Sequence, residues 1–448
     1  MTAERGTAPF HIEGADFDSV SGEIRLRYSF EGGERFVERI VMPVPSDAAA
    51  ASTPQMAAAL RILLLVAGTS YYKSAAPSEV VIDDPAGITD AEAAMLAALY
   101  DEGLREFAWR NALDIPLVNS WNHTRRPDAA VTAPATEGIH RPIVPFGGGK
   151  DSTVVLALLD EATPITVNPT SHHRDLAARM GHEVIEVRRI VDRVDLLTDP
   201  TSFNGHIPIT AIVSAISVFY AALWGAGDVV MANEAAASEP TMWTPGGDAV
   251  NHQYSKSAAF ERLFRDALAT AGVGVRYFSL LRDLAESDVI ALLAARRELI
   301  GNILSCNNAF RGLVDGRDEV AQAWCGHCPK CCFTFLMLAE VLPPDEVVTI
   351  FGADLLDRPE LTDAFADLWN EAKPFECVGE RRDAAGAMVH LAASPQWGEH
   401  AVVVATIERA RAELAEASDP AERDSGANIP AAYFERRAAA LSSIASQG

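Results

Sequence analysis

The chain has 448 residues, 49% hydrophobic and 22% charged, a globular composition with room for two or three domains that excludes disordered and fibrous classes. Its 37 Lys and Arg against 62 Asp and Glu leave a net charge of −25, a field that repels phosphate backbones and argues against nucleic acid as a partner. A small anion is still admissible, because a few backbone N–H groups and one lysine dominate at contact distance.

The first residues, MTAERGTAPFHIEG, lack the apolar core of a secretory signal, which predicts a cytoplasmic protein. Residues 1–122 alternate strand-like stretches (EIRLRYSF, RFVERIVMPV) with helix-like ones (AAALRILLLVAG, AEAAMLAALYDEGLREFAW), an α+β region without a catalytic motif. Residues 123–140, rich in Pro, Thr and Ala, read as a linker. From 141 to 343 the pattern is that of an α/β fold with a parallel, doubly wound sheet. RPIVPF, PITVN, EVIEVRRI, DVVMANE and VRYFSLL are its strands, with helical stretches between them. The uncharged run 207–227 is long enough to raise the question of a membrane helix. Pro208, Thr210, Ser214, Ser217 and Tyr220 dilute it, so it reads as a buried helix and no membrane insertion is expected. Residues 344–448 read as a helical region.

Between the first of these strands and its helix stands Phe146-Gly147-Gly148-Gly149-Lys150-Asp151-Ser152. Glycines at such a junction let backbone amides close around an anion at a helix N-terminus. Lys150 adds charge, Ser152 offers a hydroxyl and a helix cap, and Asp151 is placed to hold Mg²⁺ against phosphate oxygens, so a nucleoside triphosphate is the natural occupant. The plainer alternative is a tight turn in which Asp151 and Ser152 only cap the helix. The lysine follows the third glycine too closely for a Walker loop.

Further along, His206 lies in the polar segment FNGHIP, and Glu234 closes a strand at the edge where parallel sheets bind ligands. Glu234 is a candidate for Mg²⁺ or substrate, or simply a helix cap. His252 and Lys256 are spaced i, i+4, so a helix would turn both to one side as acid and base or as a carboxylate grip. A solvated polar face has the same pattern. Five of the six cysteines fall within residues 306–332. Cys325, Cys328 and Cys331 have two-residue spacing, and Cys306 supplies a fourth ligand for a tetrahedral, structural Zn²⁺. An iron–sulfur cluster uses the same ligands, and buried thiols also serve as small hydrophobes.

The glycine loop resembles the pyrophosphate-binding loop of the N-type ATP pyrophosphatases, Ser-Gly-Gly-x-Asp-Ser, matched at Gly148, Gly149, Asp151 and Ser152, with Gly147 in place of the first serine. The resemblance implies a sheet of the adenine-nucleotide α-hydrolase-like type and cleavage of ATP to AMP and pyrophosphate. The cysteine run is similar to the zinc knuckle of 7-cyano-7-deazaguanine synthase. Taken together, PFGGGKDS, EAAASEP, NHQYSKSAAFE, VRYFSLLRDLAESDV and WCGHCPKCCF resemble the MurL family, the UDP-N-acetyl-α-D-muramoyl-L-alanyl-L-glutamate epimerases. That resemblance implies UDP-MurNAc-L-Ala-L-Glu as the small-molecule substrate, ATP and Mg²⁺ as cofactors, and inversion of the terminal glutamate through an acyl-adenylate for peptidoglycan. It leaves Gly147–Ser152 as the phosphate site, and His252 and Lys256, with His206 and Glu234 behind them, as proton-transfer candidates. The rival expectations are another adenylating enzyme of this fold, forming an amide or modifying tRNA, and a nucleotide-binding sensor without chemistry.

Overall fold

The computed structural model describes residues 5–44, 53–129, 141–197, 199, 202–303, 305, 306, 308, 324–370, 373–376, 378–416 and 426–446. Residues 130–140 of the expected linker, and Cys377, lie outside the described residues.

Five strands follow the glycine motif's own pattern: β6 (Pro142–Pro145), β7 (Thr163–Val167), β8 (Ile185–Ile190), β9 (Asp228–Met231) and β12 (Arg276–Ser279). All pair in parallel, in the order β12-β9-β6-β7-β8. Neighbouring residues on them face opposite cores. Ile143, Val229 and Tyr277 join one apolar cluster, whereas Val144, Val230 and Phe278 join the other. Helices Ile209–Trp224 and Ala258–Ala271 cover the first face, and Lys150–Leu158 and Ser171–Arg179 the second. The sheet is therefore doubly wound, and its strand order reverses between β6 and β9. At such a switch point the flanking loops part and leave a crevice at the carboxyl ends.

The strands read separately in residues 1–122 do not form a sheet of their own. β1 (Phe10–Asp18), β2 (Glu23–Phe30) and β3 (Arg35–Val41) make an antiparallel meander, and β3 pairs antiparallel with β8 through Arg39↔Ile190 and Val41↔Arg188. β4 (Glu79–Ile82) and β5 (Ser120–Asn122) complete a ten-stranded mixed sheet. The joint is held by a buried ion pair in which Arg189 Nε donates to Glu38 Oε1 at 2.7 Å.

The uncharged run 207–227 forms helix Ile209–Trp224, ended by Gly225 in the left-handed region and packed against helix Pro54–Ala67. Among the described residues no helix is long and apolar enough to cross a membrane. A short hairpin, β10 (Met242–Trp243) with β11 (Ala249–Val250), leads into the His252 segment. The C-terminal part is helical, with Pro344–Phe351, Arg381–Ala392, Ala401–Glu416 and Ala431–Ala445 as its longer helices.

Candidate active site

The glycine motif lies at the switch point, just beyond the carboxyl end of β6. Gly148 has φ +68°, a left-handed conformation that favours glycine, and Gly149 is the N-cap of helix Lys150–Leu158. The N-cap Gly149 has no side chain to cap this helix start, and neither the Asp151 carboxylate, which goes to Lys150, nor the Ser152 hydroxyl accepts from its amides. Ser152 sits inside the first turn and donates its hydroxyl to the Gly149 carbonyl at 3.3 Å, while Lys150 N reaches Ser305 Oγ, also at 3.3 Å. Amides at a helix start that no local side chain caps are suited to an anion.

Over Gly148 lie His172 and His173, with ring carbons 3.6 and 3.5 Å from where a Cβ would stand. His172 Nε2 is buried with no hydrogen-bond partner among the described residues, and burial lowers this imidazole's pKa. A buried ring nitrogen without a partner beside the glycine loop is a group that a ligand could satisfy. The sequence reading missed it because adjacent histidines at a helix start have no recognisable spacing.

Lys150 turns from the loop into a knot of carboxylates. Its Nζ donates to Asp151 Oδ1 at 2.5 Å, Glu234 Oε2 at 3.1 Å and Glu286 Oε2 at 3.1 Å. Burial alone would lower the lysine's pKa, but the three carboxylates outweigh it and hold it well above the ordinary value. Burial, then the charge of Glu234, pushes Asp151 up and Glu286 well up, whereas Glu234, despite its burial, is held below the usual range by Lys150. One ammonium does not neutralise three carboxylates. Glu286 is wholly enclosed, but the Asp151 side chain keeps 30% of its surface open. The lysine ammonium occupies the centre of this knot, and the partly open Asp151 is the member that still offers an oxygen to a hard cation such as Mg²⁺. Glu234 leads a short 3-10 turn without capping it, because its side chain goes to Lys150 instead.

Arg282, also missed from sequence, organises the neighbouring backbone. This buried guanidinium pairs with Glu261 Oε2 at 2.7 Å and donates to the carbonyls of Glu234 (3.1 Å) and Lys256 (2.8 Å). It thereby fixes the spacing between two candidate residues. Lys256 and His252 do not share a helix face, contrary to the i, i+4 expectation. Ser257 starts the helix only at Ala258 by accepting from Phe260 N, and Tyr254–Lys256 is a 3-10 turn. The charge of Lys256 nevertheless acts on Asp151 and Glu234 on one side and on His206 on the other. The glycine-loop carboxylates and the histidines therefore both lie within electrostatic reach of Lys256.

His206 and His252 come together, with ring centroids 4.4 Å apart. His252 Nδ1 forms a short hydrogen bond with Glu106 Oε2, and Glu106 Oε1 accepts from Arg110 Nε at 2.6 Å. Burial, then the charge of His252, lowers the pKa of His206 to about 4. Burial opposes ionisation of Glu106, but His252 and Arg110 overcome it and keep its pKa below the usual range.

The thiols of Cys306, Cys325, Cys328 and Cys331 also converge. Their sulfurs lie 3.8 Å apart for Cys306–Cys328, 3.7 Å for Cys325–Cys331 and 3.5 Å for Cys328–Cys331. A tetrahedron of thiolates about 2.3 Å from one Zn²⁺ has edges of about 3.8 Å, so the donor set fits a single zinc ion. An iron–sulfur cluster, with its own sulfides inside the ligand shell, would hold the thiolates further apart. Gly326, at φ +71°, makes the turn between Cys325 and Cys328. Cys332 points into the apolar core of helix Pro329–Ala339.

Comparison with known proteins decides the family. Residues 1–280 match the MurL N-terminal domain and residues 302–422 the MurL C-terminal domain. The chain belongs to the MurL family. Three relatives are each named UDP-N-acetyl-alpha-D-muramoyl-L-alanyl-L-glutamate epimerase. The protein of a Micromonospora species is 38% identical over 415 residues, covering 89% of this chain and 90% of its own length. That of Salinispora tropica is 37% identical, covering 89% of this chain and 88% of its own, and that of Xanthomonas oryzae pv. oryzae is 37% identical, covering 86% of each. No solved structure matches the chain. The MurL N-terminal domain runs through the linker expected at 123–140 and holds both the glycine loop and the histidine pair, in keeping with the single sheet. The MurL C-terminal domain brings the cysteines, and Glu286 falls between the two matches.

Proposed function

We propose that this chain, an epimerase by family, inverts the terminal L-glutamate of UDP-MurNAc-L-Ala-L-Glu to D-glutamate, consuming ATP and releasing AMP and pyrophosphate, as a cytoplasmic step of peptidoglycan synthesis. The supporting observation is that the glycine loop starts a helix at the switch point of the parallel sheet, and that the charge of Lys256 reaches both its carboxylates and His206 of the His206–His252 pair. The strand order of the parallel half supports an ATP-pyrophosphatase-like, adenine-nucleotide α-hydrolase type of sheet.

An ATP site suits an epimerase for a chemical reason. A free carboxylate beside the α-carbon opposes carbanion charge and leaves the α-proton very weakly acidic. Once the carboxylate carries AMP, its carbonyl takes up the developing charge as an enolate that preorganised donors can stabilise. In this reading the amides of Gly147–Lys150 and the hydroxyl of Ser152 hold the phosphates, and His172 Nε2 contacts the nucleotide. Lys150 balances the charge of Asp151, Glu234 and Glu286, of which the partly open Asp151 would hold Mg²⁺. When bound, that ion would neutralise phosphate oxygens during carboxylate attack. His252 and Lys256 are the proton carriers. Zinc on the four thiols would be structural, pinning the Ser305–Cys306 segment that touches Lys150 N.

The test is incubation with UDP-MurNAc-L-Ala-L-Glu, ATP and Mg²⁺ in deuterated water, followed by chiral analysis of the glutamate. The expected result is D-glutamate with solvent deuterium at the α-carbon, and AMP and pyrophosphate in step with turnover. Inversion in a reaction without ATP would overturn the adenylation mechanism. Binding of ATP without pyrophosphate release would favour a sensor.

A further inference from the structure

Glu106 stands on helix Arg105–Arg110, among the N-terminal elements that carry no sequence motif. The fold nevertheless brings it across 146 positions to His252. The contact is enclosed: the side chains of Glu106 and His252 are only 5% and 17% exposed. Each member is fixed independently. Arg110 donates to the far oxygen of Glu106 and lies over the Phe375 ring at 4.6 Å, and Phe375 meets His252 edge-on. The main-chain N–H of His252 donates to Thr241 Oγ1 at 3.1 Å. Among the described residues Nε2 of His252 has no hydrogen-bond partner, so the ring is gripped at one nitrogen and open at the other. This is the arrangement in which a buried carboxylate sets the tautomer and aim of a base.

We propose that Glu106 is the positioning residue for proton transfer by His252: it takes the Nδ1–H, leaving the Nε2 lone pair to remove the α-proton of the activated glutamyl residue. The assignment rests on the epimerase reading above. His252 becomes imidazolium as the C–H electron pair moves into the activated carbonyl. The Lys256 ammonium then returns a proton to the opposite face, and the imidazolium and neutral amine re-equilibrate with water. His206 does not serve as the second face's carrier. Proton carriers on opposite faces of one tetrahedral carbon stand about 6–7 Å apart, and rings 4.4 Å apart leave no room for that carbon between them. His206 instead lies tilted against His252, its ring kept neutral by burial.

Glu106, His206 and His252 also have the makings of a two-histidine, one-carboxylate metal site, with one ligand atom of each within 4.8 Å. Arg110 on the carboxylate, and the charges of Arg110 and Lys256 acting on His206, oppose a further dication there.

The deciding experiment compares wild type with E106Q and E106D in three measurements. These are exchange of labelled pyrophosphate into ATP, deuterium wash-in at the glutamyl α-carbon, and metal content. We expect E106Q to lose deuterium wash-in by about 10²–10⁴-fold, the scale of a misdirected base, with pyrophosphate exchange reduced far less, and E106D to recover part of the wash-in. Wash-in by E106Q within about threefold of wild type would overturn the proposal. So would parallel loss of both reactions in E106Q and E106D, which marks a merely structural residue. A transition metal bound in addition to the thiol-held one, and lost in E106Q, overturns it in favour of a metal centre. Wild-type protein that exchanges pyrophosphate but washes in no deuterium fails at the epimerase reading itself.

Discussion

Strand β9 carries a buried ionic cluster at each end, and the two are built to opposite specifications. At its amino end, Asp228 receives both guanidinium nitrogens of Arg276 at 2.5 and 2.7 Å and the hydroxyl of Tyr433 from the last helix. One cation meets one anion there, and the C-terminal helix closes the site. At the carboxyl end, Glu234 shares Lys150 with Asp151 and Glu286, so three carboxyl groups crowd one buried ammonium, the pKa values of Asp151 and Glu286 are raised, and Asp151 stays partly open. Balanced charge under a lid is what a fold needs to hold itself together. Crowded carboxyl groups with raised pKa values at an open switch point are unfavourable on their own and become favourable when a cationic partner arrives. The same strand therefore separates stability from chemistry along its length.

Substituting one carboxylate at each end should expose that division most strongly. We expect Asp151→Ala to lower AMP formation by about 10³-fold or more while leaving the melting temperature unchanged or slightly raised, because it removes repulsion. Asp228→Asn should do the reverse, costing about 3–5 kcal/mol of stability with turnover per folded molecule within about twofold of wild type. Calorimetry and an AMP assay on both variants would check this, and comparable losses of activity in the two would break the comparison.

The thiol tetrahedron gives the next largest effect. Cys328→Ser removes one corner of the metal site, and we expect the protein to lose a stoichiometric zinc by mass spectrometry and to melt at a lower temperature. Because Ser305, next to Cys306, touches the start of the phosphate loop, the affinity for ATP should fall as well. Unchanged zinc content in Cys328→Ser would remove the tetrahedral assignment.

These clusters also show which parts of the site were open to sequence reading. The glycine loop and the four cysteines are compact patterns whose residues lie within a few tens of positions of one another, so spacing alone brings out their chemistry. The five parallel strands were legible because strands buried on both faces read as short apolar runs. Glu106 and Glu286 were not legible. Each is a lone carboxylate at the start of a helix, where capping explains it equally well, and each acquires meaning from a partner 146 or 136 residues away. Nor did the local pattern reveal that β3 would pair with β8, since strand alternation carries no label for its neighbour. The His252–Lys256 spacing misled for a related reason: periodicity states what a helix would do, and Ser257 starts the helix one residue beyond Lys256.

At the loop itself a smaller, geometric effect is expected. A Cβ on Gly148 meets only ordinary contacts with His172 and His173, so the cost of Gly148→Ala comes from its φ of +68°. Such strain amounts to about 1–3 kcal/mol, and relaxing it moves the loop amides out of the position proposed to hold phosphate. The KM for ATP should rise by about tenfold, whereas Gly147→Ala, whose Cβ would stand in open space, should change it much less. Equal effects of the two substitutions on ATP kinetics would show that the loop's conformation is not what holds the anion.

The last effect, small near neutral pH, is a pH dependence of stability from the histidine beneath the loop. His173 is buried, and burial lowers its pKa from the ordinary 6.5 to about 4. Between those values the unfolded chain takes up a proton that the folded chain refuses. Stability is therefore complete above pH 6.5 and declines as the pH falls toward 4, by up to about 3 kcal/mol for this group. His206 acts in the same direction. His173 Nδ1 accepts from Thr170 N at the start of helix Ser171–Arg179, a place where glutamine commonly serves, so His173→Gln keeps the cap and removes the titration. The difference in melting temperature between pH 7.5 and pH 5 should shrink in this variant. An unaltered difference would mean that acid destabilisation arises elsewhere, as at Glu234, whose pKa Lys150 holds below the usual range.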